Sequence, residues 1–186
     1  MTSSIVTVTP TKHRTRNVNW LALLCQLVLI FTHNIIASAQ DEAELRRTTQ
    51  TTLDPRAQAK LYKQLGDELV RQDKIDDDAE PYSKALALDA QGLSSMERVQ
   101  MAIYLSWANR LAEARSELAN VIAFEPQNIA AGNRLARVLA WSGALSAAIA
   151  GADRVLTLAP QHKDALLVKA DALQWQGRNA ESIPIS

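Results

Sequence analysis

The sequence has little cysteine, few aromatic residues and few turn-forming residues. Its single cysteine, Cys25, lies in an apolar segment near the start of the chain. The rest of the chain therefore has no thiol for a disulfide, a thiolate metal ligand or a nucleophile. Aromatic residues make up 5% of the sequence, with six glycines and six prolines. This composition argues against a β-sandwich and predicts an all-α protein.

The sequence also lacks an excess of charge of one sign. Lysine plus arginine and aspartate plus glutamate number 20 each, but residues 1–39 hold three basic residues and no acid. The remainder carries 17 basic and 20 acidic residues, a net charge of −3. No basic field is available for gripping phosphates, so we do not expect a nucleic-acid partner.

Motifs for catalysis are missing as well. His13 and His33 both fall within 1–39, which leaves His162 alone in the rest of the chain. A metal site needs several ligands, so we expect His162 to be an exposed turn residue. We find no phosphate-binding glycine loop, no Gly-x-Ser-x-Gly elbow and no His-Glu-x-x-His motif. The sequence therefore predicts neither an enzyme nor a cofactor.

The segment 1–39 has the organisation of a signal peptide. A polar, basic stretch precedes an apolar run at 20–31, and Ala37 and Ala39 stand at −3 and −1 of a cut before Gln40. This pattern predicts export to the periplasm. The alternative is an uncleaved membrane anchor, since 20–39 is about long enough to cross a bilayer. In that case only this leader would meet the membrane. The charged, threonine-rich stretch that follows predicts a polar linker over 40–58.

Three markers recur at one constant interval beyond this linker. They are a tryptophan, a turn residue two positions later, and a proline: Trp107, Trp141 and Trp175; Asn109, Gly143 and Gly177; Pro126 and Pro160. Aligning them gives units at 95–128, 129–162 and 163–186, the last incomplete, and a degenerate unit at 59–92. A repeat of this length indicates a stacked array of small structural units.

Each unit has the pattern of a helical hairpin. In 129–162, the apolar stripe Leu135, Ala136 and Leu139 lies on one face of a first helix, and Ala148, Ala152 and Val155 lie on one face of a second. Gly143 would end the first helix at positive φ, and Asn109 would do the same at a modest cost. Pro160 stops the second helix. Neighbouring units must stack, because one hairpin cannot bury both of its faces.

This pattern resembles the tetratricopeptide repeat (TPR) family. The resemblance rests on Met101, Ala102, Leu105, Ala114 and Pro126 in one unit, Leu135, Ala136, Leu139, Ala148 and Pro160 in the next, and Leu166, Ala170 and Leu173 in the last. It implies a right-handed α-solenoid of about 3.7 repeats over 59–186. One departure is Gly132, where a bulky residue is usual. The segments around Trp141 and Trp175 also resemble repeats of bacterial polysaccharide-export proteins such as cellulose synthase operon protein C.

The recurring tryptophans allow two interpretations. The first is that they are core residues near the end of each first helix, packing on the next repeat. The second is an aromatic ladder that stacks on sugar rings. We expect core packing, because an aromatic stripe in register with a repeat is first of all a packing feature.

The resemblance also implies a binding surface. In this family the first helices line a concave groove, which here would present Lys63, Asp67, Gln100, Ile103, Asn133, Arg134, Arg137, Asp171 and Gln174. Such a mixture would suit an extended peptide or a helix, with Arg134 and Arg137 anchoring an acidic group. The carboxylate clamp that binds chaperone tails in this family is not satisfied, since Asp67, Gln100 and Ala130 replace the required residues.

These observations lead to one main hypothesis and two alternatives. We expect a non-catalytic protein-protein interaction scaffold in the bacterial periplasm, within an exopolysaccharide-secretion or envelope-assembly system. The first alternative is a membrane-anchored assembly factor or chaperone for envelope proteins. The second is the N-terminal fragment of a larger TPR protein, because the last unit stops at Ser186, before its proline position. Its second helix could begin only at about Asn179.

Overall fold

The computed structural model describes residues 39–182, with the side chains of 75–78 excepted. Residues 1–38 of the predicted leader and the last four residues of unit 163–186 lie outside the described residues. All regular structure in the described part is helical. The helices are α1 (residues 39–51), α2 (Pro55–Arg71), α3 (Ile75–Asp89), α4 (Ser95–Trp107), α5 (Leu111–Phe124), α6 (Ile129–Trp141), α7 (Leu145–Leu158), α8 (Lys163–Trp175) and α9 (Asn179–Ser182), with a 3-10 turn at Ala90–Gly92.

The predicted polar linker over 40–58 is wrong in its central feature, because 39–51 is helical and α2 begins at Pro55. Ion pairs at helical spacing stabilise α1: Glu42 with Arg46 at 2.8 Å and Glu44 with Arg47 at 2.9 Å. The helix also packs on the rest of the chain. Thr49 is buried, and its carbonyl accepts from Gln58 Nε2 at 2.8 Å. The charged residues at helical spacing were the sequence feature that indicated this helix. The absence of a broad apolar stripe did not exclude it, because a helix can dock on its neighbours without one.

The predicted hairpins are present. Helices α2 and α3, α4 and α5, and α6 and α7 pack in pairs, and α3 with α4, α5 with α6 and α7 with α8 join one pair to the next. Short turns reverse the chain between partners, so α2, α4, α6 and α8 run in one direction. These four helices are called the first helices below. Contacts between α4 and α6 and between α6 and α8 place these three side by side.

Each first helix ends in the same turn. The residue two positions after its end has positive φ in all four cases: Asp73 (58°), Asn109 (60°), Gly143 (79°) and Gly177 (80°). The following N–H then donates back to a carbonyl five residues earlier, as from Arg110 to Leu105 at 2.8 Å and from Ala144 to Leu139 at 2.9 Å. This satisfies a carbonyl that the helix end leaves unpaired. The expected roles of Asn109 and Gly143 are confirmed.

The residue before each first helix acts as its N-cap. The side chains of Asp54, Ser94, Asn128 and His162 accept from a backbone N–H three residues later, at 2.9, 3.3, 2.9 and 3.2 Å. An oxygen or nitrogen acceptor here satisfies a donor that lacks a helical partner. His162 therefore lies in the expected turn but has a capping role that its isolated position in the sequence did not indicate.

The core changes character along the array. Around α3 to α6 it contains large residues that are fully buried, including Tyr82, Met101, Leu105 and Leu118. Between α6 and α8 the buried clusters are built mostly from alanine: Ala136 and Ala152 with Val168, and Ala140, Ala148 and Ala172. Small side chains let these helices approach closely. The stripes predicted for unit 129–162 face this core, with Leu139 partly buried and the others buried.

Candidate functional site

On α2, the residues predicted to bind a partner already form polar contacts with other residues of the chain. Lys63 Nζ lies 2.7 Å from Asp67 Oδ2 and 3.8 Å from an oxygen of Glu97 on α4. Tyr82, from the second helix of the hairpin, donates its hydroxyl to Asp67 Oδ1 at 2.9 Å. Lys63 and Asp67 therefore neutralise each other, and a partner would have to break their contacts to use either charge.

On α4 the two predicted residues behave differently. Gln100 is exposed and available to a partner. Ile103 is buried and belongs to the large core cluster, where it stabilises packing between α4 and its neighbours. At this position the core extends closer to the predicted groove than the resemblance implied.

Three residues of α6 have polar groups without a hydrogen-bond or ion-pair partner among the described residues. We call them the amide–arginine cluster: Asn133, Arg134 and Arg137. Asn133 is 4% exposed, and its Oδ1 is buried without a hydrogen-bond partner among the described residues. Arg134 and Arg137 are partly buried and form no ion pair or side-chain hydrogen bond within the part of the chain that the structure describes. An enclosed orphan acceptor costs about 1–3 kcal/mol. Helix α6 thus carries two cationic side chains without a charged partner in the described chain, and a buried acceptor without a hydrogen-bond partner there.

Helix α8 adds Asp171, which is partly buried, and Gln174, which is exposed. Within 39–182, neither forms a hydrogen bond or ion pair with the amide–arginine cluster. Helices α6 and α8 are neighbours, and that their predicted residues share one surface stays a prediction. The nine predicted residues thus divide into the paired Lys63 and Asp67 on α2, an exposed Gln100 and a buried Ile103 on α4, and five residues on α6 and α8 that include the unpaired arginines.

The expectation that the tryptophans are core residues is wrong. Trp107, Trp141 and Trp175 are the last residues of α4, α6 and α8, as predicted, but they are 52%, 42% and 53% exposed. Each follows a buried or partly buried leucine by two positions, and two residues turn a helix by about 200°. The helical period therefore points each indole away from the face that its leucine buries.

Two features of the site region have no counterpart in the sequence reasoning. Tyr82 and Tyr104 stack at 5.3 Å with an interplanar angle of 9°, and Tyr104 meets the Trp107 ring edge-on at 5.3 Å and 73°. Arg98 on α4 and Glu117 on α5 form an ion pair with side chains only 12% and 8% exposed. Both depend on which residues of different helices face each other, which spacing along the chain does not reveal.

The described residues enclose two small cavities of interest. One, of about 270 Å³, lies between α1 and the α2–α3 hairpin and is lined by Arg46, Thr49, Gln50, Tyr62, Leu65, Glu80, Pro81 and Lys84. Its charges are already paired, Glu80 with Lys84 at 2.7 Å and Arg46 with Glu42 at 2.8 Å. The other, of about 40 Å³, adjoins Gly132 and Val155. The resemblance implies a bulky residue at position 132, and the cavity lies beside the glycine found there.

Comparison with known proteins yields structural neighbours only, since the sequence matches no protein-family model and no curated protein. MamA of strain AMB-1 aligns with TM-score 0.64 and 19% identity over 82% of this chain and 87% of its own. YrrB, a TPR protein with an unusual peptide-binding site, aligns with TM-score 0.61 and 18% identity over 82% of this chain and 78% of its own.

A tetratricopeptide repeat protein from Parabacteroides merdae ATCC 43184 aligns with TM-score 0.64 and 15% identity, over 86% of this chain and 63% of its own. The described chain has the TPR fold. At these sequence identities, the similarity supports the fold and nothing about function. The first helices of this TPR array hold the candidate surface, with the amide–arginine cluster near its centre.

Within 39–182, no helix is long and apolar enough to cross a bilayer. In the same range, no group of three or more histidine, cysteine, aspartate or glutamate side chains is placed to hold a metal ion.

Proposed function

We propose that this chain is a non-catalytic scaffold that binds a segment of another protein on the surface formed by its first helices. The observation that carries the proposal is the amide–arginine cluster. Arg134 and Arg137 lie one helical turn apart on α6, without a charged partner in the described chain. Guanidinium groups bind carboxylates in a fork geometry, so an acidic side chain or chain end is the complementary ligand.

Three further features support this proposal. The TPR fold offers a continuous surface of parallel helices, which suits an extended peptide or a laid-in helix. Asn133 retains an orphan acceptor at a cost in stability, as functional sites often do. A structural neighbour, YrrB, has a peptide-binding site. The self-paired Lys63 and Asp67 favour a ligand that makes its charged contact with α6 and not with α2.

The experiment measures binding of a labelled acidic peptide, with aspartates alternating with apolar residues, to the full chain by fluorescence anisotropy. The same peptide with asparagine in place of aspartate is the ligand control. We expect Arg134→Ala/Arg137→Ala to weaken binding of the acidic peptide by about tenfold or more. The matched variant Arg115→Ala/Arg154→Ala removes two exposed arginines from α5 and α7, second helices of the hairpins, and should leave binding unchanged.

Equal losses in the two double variants would show that net charge, and not the surface on α6, attracts the peptide. Equal binding of the aspartate and asparagine peptides would also contradict the proposal. Circular dichroism of both variants establishes that each remains helical, so that loss of binding is not loss of fold.

We further propose that the scaffold acts in the periplasm, within an exopolysaccharide-secretion or envelope-assembly system. The support is the basic, apolar and Ala-x-Ala pattern of residues 1–39, together with the resemblance around Trp141 and Trp175. The alternative is a membrane-anchored assembly factor that keeps this segment. Intact-mass analysis of the chain from membrane and periplasmic fractions separates them. A mature N-terminus at Gln40 supports the periplasmic scaffold, and an intact Met1 in the membrane supports the anchor.

A further inference from the structure

Helix α6 presents one narrow line of side chains to solvent, which we call the α6 stripe: Ala130, Arg134, Arg137 and Trp141. Ala130 and Trp141 are exposed, and the two arginines between them are partly buried. At 3.6 residues per turn, these four positions fall within about 60° of one another around the helix axis. Trp141 therefore lies on the same face of α6 as the two arginines of the proposed binding surface.

The α6 stripe joins unpaired positive charge to an apolar face. Arg134 and Arg137 form no ion pair within the part of the chain that the structure describes. Trp141 is 42% exposed and follows Arg137 by one helical turn, which is about 6 Å along the axis. Arg137 would repel a cationic side chain placed over this indole, whereas both arginines attract an acidic segment. The stripe is thus complementary to a segment that carries a carboxylate and an apolar side chain.

The neighbouring first helices lack this combination. The positions equivalent to Arg134, Arg137 and Trp141 are Gln100, Ile103 and Trp107 on α4, and Val168, Asp171 and Trp175 on α8. Helix α4 has no cation at these positions, and α8 has an anion in place of Arg137. Because Asp171 would repel an acidic segment, only the indole of α6 adjoins a surface that attracts one.

The groups beside Trp141 favour an apolar side chain over a sugar ring. Ser142, the next residue, already donates its hydroxyl to the Leu139 carbonyl at 2.9 Å. Gly143 follows and has no side chain. Covering sugar hydroxyls without giving them hydrogen-bond partners costs free energy, whereas an apolar or aromatic side chain needs only the face of the indole.

We propose that Trp141 is a specificity-determining residue of this surface: it binds an apolar or aromatic side chain of the partner segment, next to the carboxylate that Arg134 and Arg137 bind. This inference rests on the proposed function, since the arginines must first attract the segment. In an extended segment, side chains two positions apart lie on one face and are about 6–7 Å apart, which matches the separation of Arg137 and Trp141 along α6.

The test uses three labelled peptides and the full chain, with binding followed by fluorescence anisotropy. The first peptide has aspartate and phenylalanine two positions apart, the second has alanine in place of the phenylalanine, and the third has phenylalanine directly after aspartate, on the opposite face. We expect the second and third peptides to bind wild type about tenfold more weakly than the first. For Trp141→Ala, the three peptides should differ by less than about twofold, because the group that distinguishes them is gone.

Trp175→Ala is the matched control, since Trp175 is 53% exposed and ends α8 as Trp141 ends α6. This variant should keep the preference for the first peptide. If it loses the preference as fully as Trp141→Ala does, the inference is overturned, because the indoles then act by general apolar adhesion.

Two further outcomes separate this inference from the proposed function. Equal binding of the three peptides to wild type, with Arg134→Ala/Arg137→Ala still weakening all of them, would overturn the role of Trp141 and leave the acidic-peptide surface standing. Equal binding of every peptide to wild type and to that double variant would overturn both. Binding of a uronic-acid oligomer that depends on Trp141, without any preference among the peptides, would show that the stripe takes an acidic sugar instead.

Discussion

The ring of Tyr82 fills the space beside Gly66: a Cβ atom built at Gly66 would lie 2.5 Å from Cε1 of Tyr82. Gly66 is buried in α2, and Tyr82 is fully buried in α3. The pair sets how closely the helices of the first hairpin approach, and it positions the Tyr82 hydroxyl on Asp67.

We therefore expect Gly66→Ala to lower the free energy of unfolding by about 1–3 kcal/mol, because overpacking outweighs the gain in helix propensity. Gly132→Ala is the comparison. A Cβ at Gly132 would meet only Val155 Cγ2 at 3.0 Å, beside the small cavity, so this variant should be neutral or stabilising by up to about 1 kcal/mol. Urea unfolding measures both. A Gly66→Ala protein as stable as wild type would show that the Tyr82 ring moves aside freely.

In the repeated turn, substitutions at two equivalent positions should have opposite effects on stability. Gly143 has φ 79°, and no atom lies within 4 Å of the place where its Cβ would stand. Gly143→Ala should therefore cost about 1 kcal/mol from backbone strain alone. Asn109 has φ 60°, and Asn109→Gly should be neutral or stabilising by a few tenths of a kcal/mol. Thermal unfolding of the two variants checks the pair. Destabilisation by Asn109→Gly would mean that the asparagine side chain contributes more than its backbone conformation costs.

The capping box at the start of α4 predicts that the stability of the protein depends on pH. Ser94 and Glu97 form a capping box, in which the Ser94 N–H donates to Glu97 Oε2 at 2.9 Å. Hydrogen bonds from the backbone and side chain of Ser94 hold the pKa of Glu97 below its ordinary value of 4.5. The stabilisation is thus fully present above about pH 4.5 and is lost as the pH falls through the lower pKa of the folded state.

We expect the unfolding temperature of wild type to fall more between about pH 6 and about pH 3 than that of Glu97→Gln, which keeps the hydrogen bond but does not titrate. At neutral pH, Ser94→Ala should cost about 1 kcal/mol. Ser116→Ala, at an exposed serine of α5, is the control. Parallel pH profiles for wild type and Glu97→Gln would refute the assignment.

The buried ion pair between Arg98 and Glu117 predicts a non-additive response. Glu117→Ala leaves a nearly buried guanidinium without its partner and should cost about 3 kcal/mol. Replacing both residues by apolar ones, as in Arg98→Met/Glu117→Leu, should recover most of this loss, since no charge is then left buried. Chemical denaturation of Arg98→Met, Glu117→Leu and the double variant gives the coupling free energy. A double variant that loses the sum of the two single losses would show that the pair is effectively solvated.

Much of the fold could be predicted from the sequence because local rules act on each unit. The constant repeat interval, the apolar stripes at helical spacing and the turn residues Asn109 and Gly143 each indicate the same hairpin, and the structure has it. The helix at 39–51 was not predicted, because this segment has no apolar stripe at helical spacing. Its ion pairs and the docking of Thr49 stabilise it instead.

Less of the candidate site than of the fold could be predicted from the sequence. Family positions pointed to Asn133, Arg134 and Arg137 on α6, but they did not reveal that Asn133 is buried, that Ile103 joins the core or that Lys63 and Asp67 neutralise each other. Those outcomes depend on contacts between residues on different helices. Exposure of the tryptophans, by contrast, could have been read from the helical period, since each stands two residues beyond a leucine of the core stripe.

The sequence by itself determined the hairpins, their turns and their register, because helix propensity, capping and positive φ are properties of a few neighbouring residues. Only the tertiary structure decided which side chains remain available to a partner. Burial, charge pairing and the edge on which a residue falls depend on how the helices pack against one another. Within 39–182, packing leaves Arg134 and Arg137 unpaired on α6 and leaves Trp107, Trp141 and Trp175 exposed along one edge.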